Sequence, residues 1–242
     1  MARIVCFQFW DTGRPGRLGL TLREHGHKLD VRRPDHEGAA AIPGDLDDVH
    51  GLVILGGPQN VDEGHAWLSP LKSLVKAVHD RELPIIGICL GCQIIAESLG
   101  GRVGRMDKPE VGMPRVSLTP PGQIETMLAG VPWACPQFSS HGYEVKELPA
   151  GATLLAGSKA CKVEAFRAGL RTYAFQYHFE CDRDMIDTCL NEPSCSPEKI
   201  GRGRDEVTRE IDAAYEMFAR AGDRLCVNLA SYAFAFDSLL AV

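Results

Sequence analysis

The sequence predicts an α/β fold: a doubly wound, mostly parallel central sheet with helices on both faces. Three observations predict it. Apolar runs at residues 3–9, 51–57 and 84–88 alternate with stretches of helical spacing. The run Gly51-Leu-Val-Ile-Leu-Gly-Gly57 is unbroken by polar residues, which suits a parallel strand covered on both faces. The stretch from Pro84 to Gly100 passes from an apolar run, through Cys89 between two glycines, into a helical pattern. A small antiparallel strand region and a helical C-terminal extension complete the prediction. One domain is placed at 1–190 and the extension at 191–242.

In chain order, residues 3–9 read as the first strand. A glycine-rich polar turn at 11–17 leads to a short helix from Leu18 to His25, stopped by Gly26. Residues 28–32 read as the second strand. Residues 34–48, rich in Pro, Gly and Asp, read as a surface loop. After the third strand, residues 67–81 carry Leu68, Leu71, Val75 and Val78 at helical spacing. The strand at 84–88 then turns into a helix with Ile94, Ile95 and Leu99 on one side. In such sheets ligands bind at the C-terminal ends of the strands, where Gly56, Gly57 and Cys89 all fall.

The middle of the chain is strand-rich at 103–119 and 152–175, with a proline-rich loop at 120–136 expected at the pocket rim. Residues 165–178 read as a hairpin turning at Ala168-Gly169. Past Glu180 the pattern becomes helical at 182–190, loop-like at 191–203, and helical again at 205–221, where Val207, Ile211, Ala214 and Phe218 share a face. The last stretch, 225–242, is apolar but interrupted by Asn228 and Asp237, and is short for a membrane span. It reads as a helix packed on the domain or on a second subunit, which would make the chain a homo-oligomer.

Composition narrows the function. A net charge of −6, without a basic block or interleaved aromatics, gives no sign of nucleic-acid binding. The first residues run straight into a strand and lack the length of a signal peptide. Nine cysteines, several inside apolar runs, suit reduced thiols in the cytoplasm better than a disulfide framework.

Gly87-x-Cys89-x-Gly91 has the form of a nucleophile elbow with cysteine in place of serine. A thiol at a helix N-terminus is favoured as thiolate, and the free N–H groups there can hold an oxyanion. Such a nucleophile needs a base, and the base needs an orienting group. Most of the eight histidines lie in polar stretches and read as surface residues. His178 instead ends a strand-like run, with Glu180 two positions on. In an extended backbone both side chains would point to the same side.

Gly56-Gly57-Pro58, Gly87-Ile-Cys89-Leu-Gly-Cys-Gln93, Ser140-His-Gly142 and Gln176-Tyr-His178-Phe-Glu180 together resemble class I, triad-type glutamine amidotransferases. The likeness is strongest to the glutaminase domain of GMP synthase and to stand-alone proteins similar to it. It covers residues 3–190 or so, with the motifs in the family's order, and implies a flavodoxin-like sheet. It also implies Cys89 as nucleophile, His178 as base and Glu180 as orienting acid. Gly57 and Leu90 would supply oxyanion N–H groups. Gln93, Ser140, His141, Gly142 and Tyr143 would hold the α-amino and α-carboxylate groups of L-glutamine, and Glu110-Val-Gly112 echoes a further family segment. The implied reaction hydrolyses glutamine through a γ-glutamyl thioester and needs no metal or organic cofactor.

Two residues depart from the family pattern. Phe179 stands where the family has proline, which loosens a backbone constraint but keeps the His178–Glu180 relation. Cys92 creates a Cys89-x-x-Cys92 pair, which predicts reversible capping of Cys89 under mild oxidant; a lone CxxC is a weak zinc signal. No phosphate-binding loop for an ATP-using acceptor domain occurs. The ammonia would therefore pass to a separate synthetase, or be released. Two alternatives stand beside this reading. One is a γ-glutamyl peptide or γ-glutamyl amine hydrolase, marked by room near Trp10, Trp67 or residues 120–133. The other is a catalytically silent binding or regulatory protein, against which the retained Cys89, His178 and Glu180 argue.

Overall fold

A computed structural model describes residues 2–234. Five strands build the parallel half of a nine-stranded sheet: β1 (Arg3–Phe7), β2 (Lys28–Arg32), β3 (Gly51–Ile54), β4 (Ile85–Ile88) and β11 (Thr172–Phe175). Their order is β2-β1-β3-β4-β11. The sheet continues antiparallel through β10 (Ala165–Ala168), β9 (Thr153–Gly157), β6 (Arg115–Leu118) and β7 (Ala134–Pro136). A separate antiparallel pair joins β5 (Arg102–Gly112) to β8 (Ser139–Glu147).

The unbroken apolar strands have the burial that their composition demands. Successive side chains of a strand face opposite ways. Ile4 and Cys6 of β1 accordingly enter one core, while Val5 and Phe7 enter the other. On the second face lie α3 (Leu68–Asp80) and α4 (Leu90–Ser98). Leu71, Val75 and Val78 of α3 are fully buried there, as their spacing predicts. The first face is covered by α1 (Gly16–Glu24) and by the end of α7 (Arg204–Asn228), through Leu18, Leu22 and Leu225. The edge strand β2 is guarded by charge: Arg3 and Arg32 both hold Asp30. A third cluster joins α6 (Arg183–Asn191) to α7 through Ile186 and Ile211.

Several elements differ from the sequence reading. Residues 34–48 are not all loop: Pro34 starts the short α2 (Pro34–Glu37), followed by a 3-10 turn. The proline-rich stretch contains α5 (Pro120–Gln123), capped by the Thr119 hydroxyl accepting from Gly122 N–H, and it also contains β7. The long helix α7 does not stop at 221. It runs to Asn228 because Gly222 packs against the Phe179 carbonyl, where a Cβ would lie 2.6 Å from the oxygen. Asn228 then donates to the Met127 and Ala129 carbonyls, and a π-helical turn continues to Ala233. Asp237 and the rest of the apolar tail lie outside the described residues. Among the described residues no helix is long and apolar enough to cross a membrane.

The strand–turn–helix around Cys89 is closely packed. A Cβ on Gly91 would lie 2.0 Å from the Ile54 carbonyl oxygen, and one on Gly87 2.6 Å from the Gly91 oxygen. These are backbone atoms, which cannot rotate away. Gly91→Ala is therefore expected to destabilise the fold by about 2 kcal/mol or more, as overpacked cores do. Urea unfolding would show it as a lowered midpoint; an unchanged midpoint would refute the close packing.

Candidate active site

Cys89 is the residue that ends β4 and caps α4. Its φ of +51° and ψ of −105° lie outside the regions L-residues favour. Its N–H donates to the Phe175 carbonyl of the neighbouring strand at 2.8 Å, which holds the turn in that conformation. Strain of this kind is kept where surrounding structure over-determines it, often at functional sites. The α4 ladder begins with Gln93 N–H to the Cys89 carbonyl, so the N–H groups of Leu90, Gly91 and Cys92 have no helical acceptor. Gly57 sits beside Leu90: a Cβ on it would be 3.3 Å from Leu90 Cδ2. Both line the cavity that Cys89 opens into.

The structure brings His178 and Glu180 to the same place. A Cβ on Gly56 would meet His178 Cε1 at 2.5 Å and Cys89 Cβ at 3.3 Å. Only glycine therefore lets the β3 end pass between the two side chains. His178 Nδ1 lies 2.8 Å from Glu180 Oε1, and the imidazole sits beside Cys89 across Gly56. Burial pulls the imidazole pKa down, but the Glu180 carboxylate and Cys89 outweigh it, and the net shift is well above the ordinary histidine value. The two residues do not meet as extended neighbours. β11 stops at Phe175, and the chain bends at residues 176–177 and turns at 179–180. The His178 N–H is fixed by the Phe138 carbonyl and the Glu180 carbonyl by Arg17 N–H. Phe179 is fully buried, its ring 5.0 Å from that of Phe175. Side-chain burial holds the turn at the position where a proline ring would have held it.

The remaining predicted residues all border one cavity of about 500 Å³. Gln93 is buried, and its amide nitrogen donates to the Tyr143 carbonyl and to Gln176 Oε1. Ser140 offers its carbonyl 3.9 Å from the Cys89 sulfur. Tyr143 receives a hydrogen bond from Arg105 and donates to Asp62. The His141 ring turns into the interior, with Nδ1 3.0 Å from the Tyr143 carbonyl and its side chain 1% exposed. Glu110 lines the same cavity. Cys92 does not: it is fully buried, and burial holds its thiol well above the ordinary value.

Sequence reasoning placed the far wall incorrectly. Trp10 lines the cavity, but Trp67 and residues 120–133 do not. Trp67 packs on Phe9 and stacks on His65 instead. The wall is formed by Cys181, Cys189 and the segment 194–200, ending in Lys199 and Ile200. That segment read as an undistinguished polar loop. Its only signal was Cys195, which is buried in the same cluster as Cys189.

A cysteine at the carboxyl edge of a parallel sheet, over a glycine-walled cavity, defines an amidohydrolase class. The chain belongs to the class-I glutamine amidotransferase family, whose model matches residues 18–188. It is 33% identical to the glutamine-hydrolyzing GMP synthase subunit of Thermoplasma volcanium over 166 residues, 68% of this chain and 77% of that one. It is 31% identical to gamma-glutamyl peptidase 3 of Arabidopsis thaliana over 179 residues, 71% of this chain and 72% of that one. Against the GMP synthase of Ectopseudomonas mendocina, the match covers only 25% of that protein's length. A glutamine amidotransferase structure from Methylobacillus flagellatus superposes with a TM-score of 0.83 over 94% of both chains at 23% identity, which bears on the fold.

Proposed function

We propose that this chain hydrolyses the side-chain amide of L-glutamine through a thioester on Cys89. The observation that carries the reading is His178, held by Glu180 and placed beside Cys89 at the mouth of the elbow. The Cys89 thiolate attacks the amide carbon. Gly57 and Leu90 N–H groups meet the developing oxyanion. His178, held by Glu180, protonates the departing ammonia and then takes a proton from the water that cleaves the thioester. Gln93 and the segment Ser140 to Tyr143, with His141 contributing only its backbone, hold the amino-acid end of glutamine. Glutamate and ammonia leave, and none of these steps calls for a cofactor.

In this reading residues 1–190 are the amidotransferase domain and 191–242 its extension, acting in the cytoplasm. The archaeal GMP synthase relatives are glutamine-hydrolyzing subunits, which supports a separate synthetase as ammonia acceptor here. The breadth of the cavity supports a second reading. Volumes of roughly 300–1,000 Å³ hold drug-sized ligands, and glutamine alone is smaller than these. A γ-glutamyl peptide or amine would use the surplus, as the similarity to a gamma-glutamyl peptidase also suggests. Retention of Cys89, His178 and Glu180 side by side disfavours a silent binding protein.

Intact-protein mass spectrometry after incubation with 6-diazo-5-oxo-L-norleucine tests the assignment. One adduct on Cys89, prevented by excess glutamine, is expected. Folded, reduced protein without an adduct would exclude a competent glutamine pocket. An adduct that γ-glutamyl peptides block better than glutamine would select the second reading.

A further inference from the structure

The pocket wall from Ser140 to Tyr143 has a buried inner face. There His141 of β8 meets Cys161 and Glu164, from the turn before β10. A ring nitrogen, a sulfur and a carboxylate oxygen from these residues all lie within 4.8 Å of one another. Cys161 and Glu164 are 0% exposed, and His141 is 8% exposed. Neither Glu164 oxygen has a hydrogen-bond partner, and neither does His141 Nε2. Glu110 Oε2, 3.6 Å from His141 Nε2, is buried and likewise without one.

Buried polar atoms are nearly always satisfied, and a buried carboxylate without a partner is strongly disfavoured. The His141 tautomer sharpens the problem. A carbonyl can only accept, so Nδ1 carries the proton that it donates to Tyr143, and Nε2 is the ring atom left to face the carboxylates. Nε2 and the Glu164 oxygens face a common space beside the Cys161 sulfur. A proton shared between His141 and Glu164 would satisfy one contact and leave the second Glu164 oxygen and Glu110 unpaired. A divalent cation would engage the His141 ring, the Cys161 sulfur and a Glu164 oxygen together, which one shared proton does not. With a water as fourth ligand, the Cys161 thiolate, the Glu164 carboxylate and a neutral His141 imidazole would together balance a charge of +2, which suits a dry interior.

We propose that His141 Nε2, Cys161 Sγ and a Glu164 oxygen form a structural zinc site behind the pocket wall, with Glu110 or a water as fourth ligand. Zinc takes nitrogen, sulfur and oxygen donors at roughly 2.0–2.3 Å in tetrahedral geometry, so donors sit about 3.3–3.8 Å apart. The present donors, within 4.8 Å of one another, would close to that spacing on binding. A ligating histidine commonly donates its other N–H to a backbone carbonyl, as His141 does to Tyr143. On binding, the Cys161 S–H bond breaks, a sulfur–zinc bond forms and the proton leaves to solvent; its present hydrogen bond to the Val163 carbonyl is given up. The ion would tie β8 to the segment before β10 and fix the wall from behind.

Cobalt(II) titration of the reduced, full-length protein is the test. One equivalent is expected to bind with a sulfur-to-cobalt charge-transfer band in the near ultraviolet and tetrahedral visible bands. Cys161→Ser and Glu164→Gln should lose the band, and Cys89→Ala should keep it. Zinc-edge absorption on the wild-type protein needs no variant and should read one sulfur with nitrogen and oxygen neighbours. No thiolate band in the wild type, a band surviving Cys161→Ser, one lost with Cys89→Ala, or a two-sulfur shell would each overturn the site. Charge at the cluster would then be met by a proton shared between His141 and Glu164.

Discussion

Cys89→Ala is expected to lower kcat for glutamine hydrolysis by roughly 10³–10⁶-fold, the scale on which removing a covalent nucleophile acts. The reaction divides one difficult displacement into two easier ones, and alanine leaves no atom to carry the acyl group. The fold should survive. Cys89 already sits at φ +51°, so another L-residue adds no new backbone strain, and the turn remains anchored by the Phe175 carbonyl. Steady-state ammonia release and urea unfolding, measured side by side, check both halves. Activity within tenfold of wild type would remove Cys89 from the mechanism, and a collapsed fold would make the kinetic loss uninformative.

Glu180→Gln is expected to lower kcat by about 10²–10⁴-fold, as loss of the orienting acid does in related triads. It should also move the pH profile. Burial alone would hold His178 neutral, and the Glu180 carboxylate, followed by Cys89, raises its pKa well above the usual value. Removing the carboxylate lets burial prevail, so the imidazolium is lost at lower pH. The departing amine needs that proton, and the alkaline limb of kcat should shift toward lower pH. The same linkage acts on stability. A histidine whose folded pKa is raised stabilises fully below its unfolded pKa and loses that contribution as pH rises through the folded value. The wild type should therefore lose stability with rising alkalinity more steeply than Glu180→Gln. Parallel pH–rate and pH–unfolding series decide it, and an alkaline limb that stays in place would leave Glu180 with a packing role only.

Much of this site was legible before the fold. The elbow could be read because its glycines are dictated locally: a tight turn and a close strand–helix approach exclude a Cβ at Gly87 and Gly91. His178 and Glu180 could be paired because only two positions separate them. The reason offered for that pairing did not hold, since the chain turns after β11 instead of remaining extended. What sets the turn is burial of Phe179 and bonds from Phe138 and Arg17, residues distant in sequence. The far wall was illegible for a similar reason. Residues 194–200 have no periodicity of their own and reach the cavity because α6 and α7 pack around Ile186 and Ile211.

By itself the sequence determined the strand and helix alternation, the doubly covered parallel sheet and the three residues proposed for catalysis. Those properties follow from period-2 and period-3.6 burial and from short-range turn sterics, which act within a few residues. Only the tertiary structure decided the cavity's extent, the length of α7, the inward ring of His141 and its meeting with Cys161 and Glu164. These depend on side chains far apart in the chain sharing one dry volume, and no local pattern encodes which buried groups will face one another there.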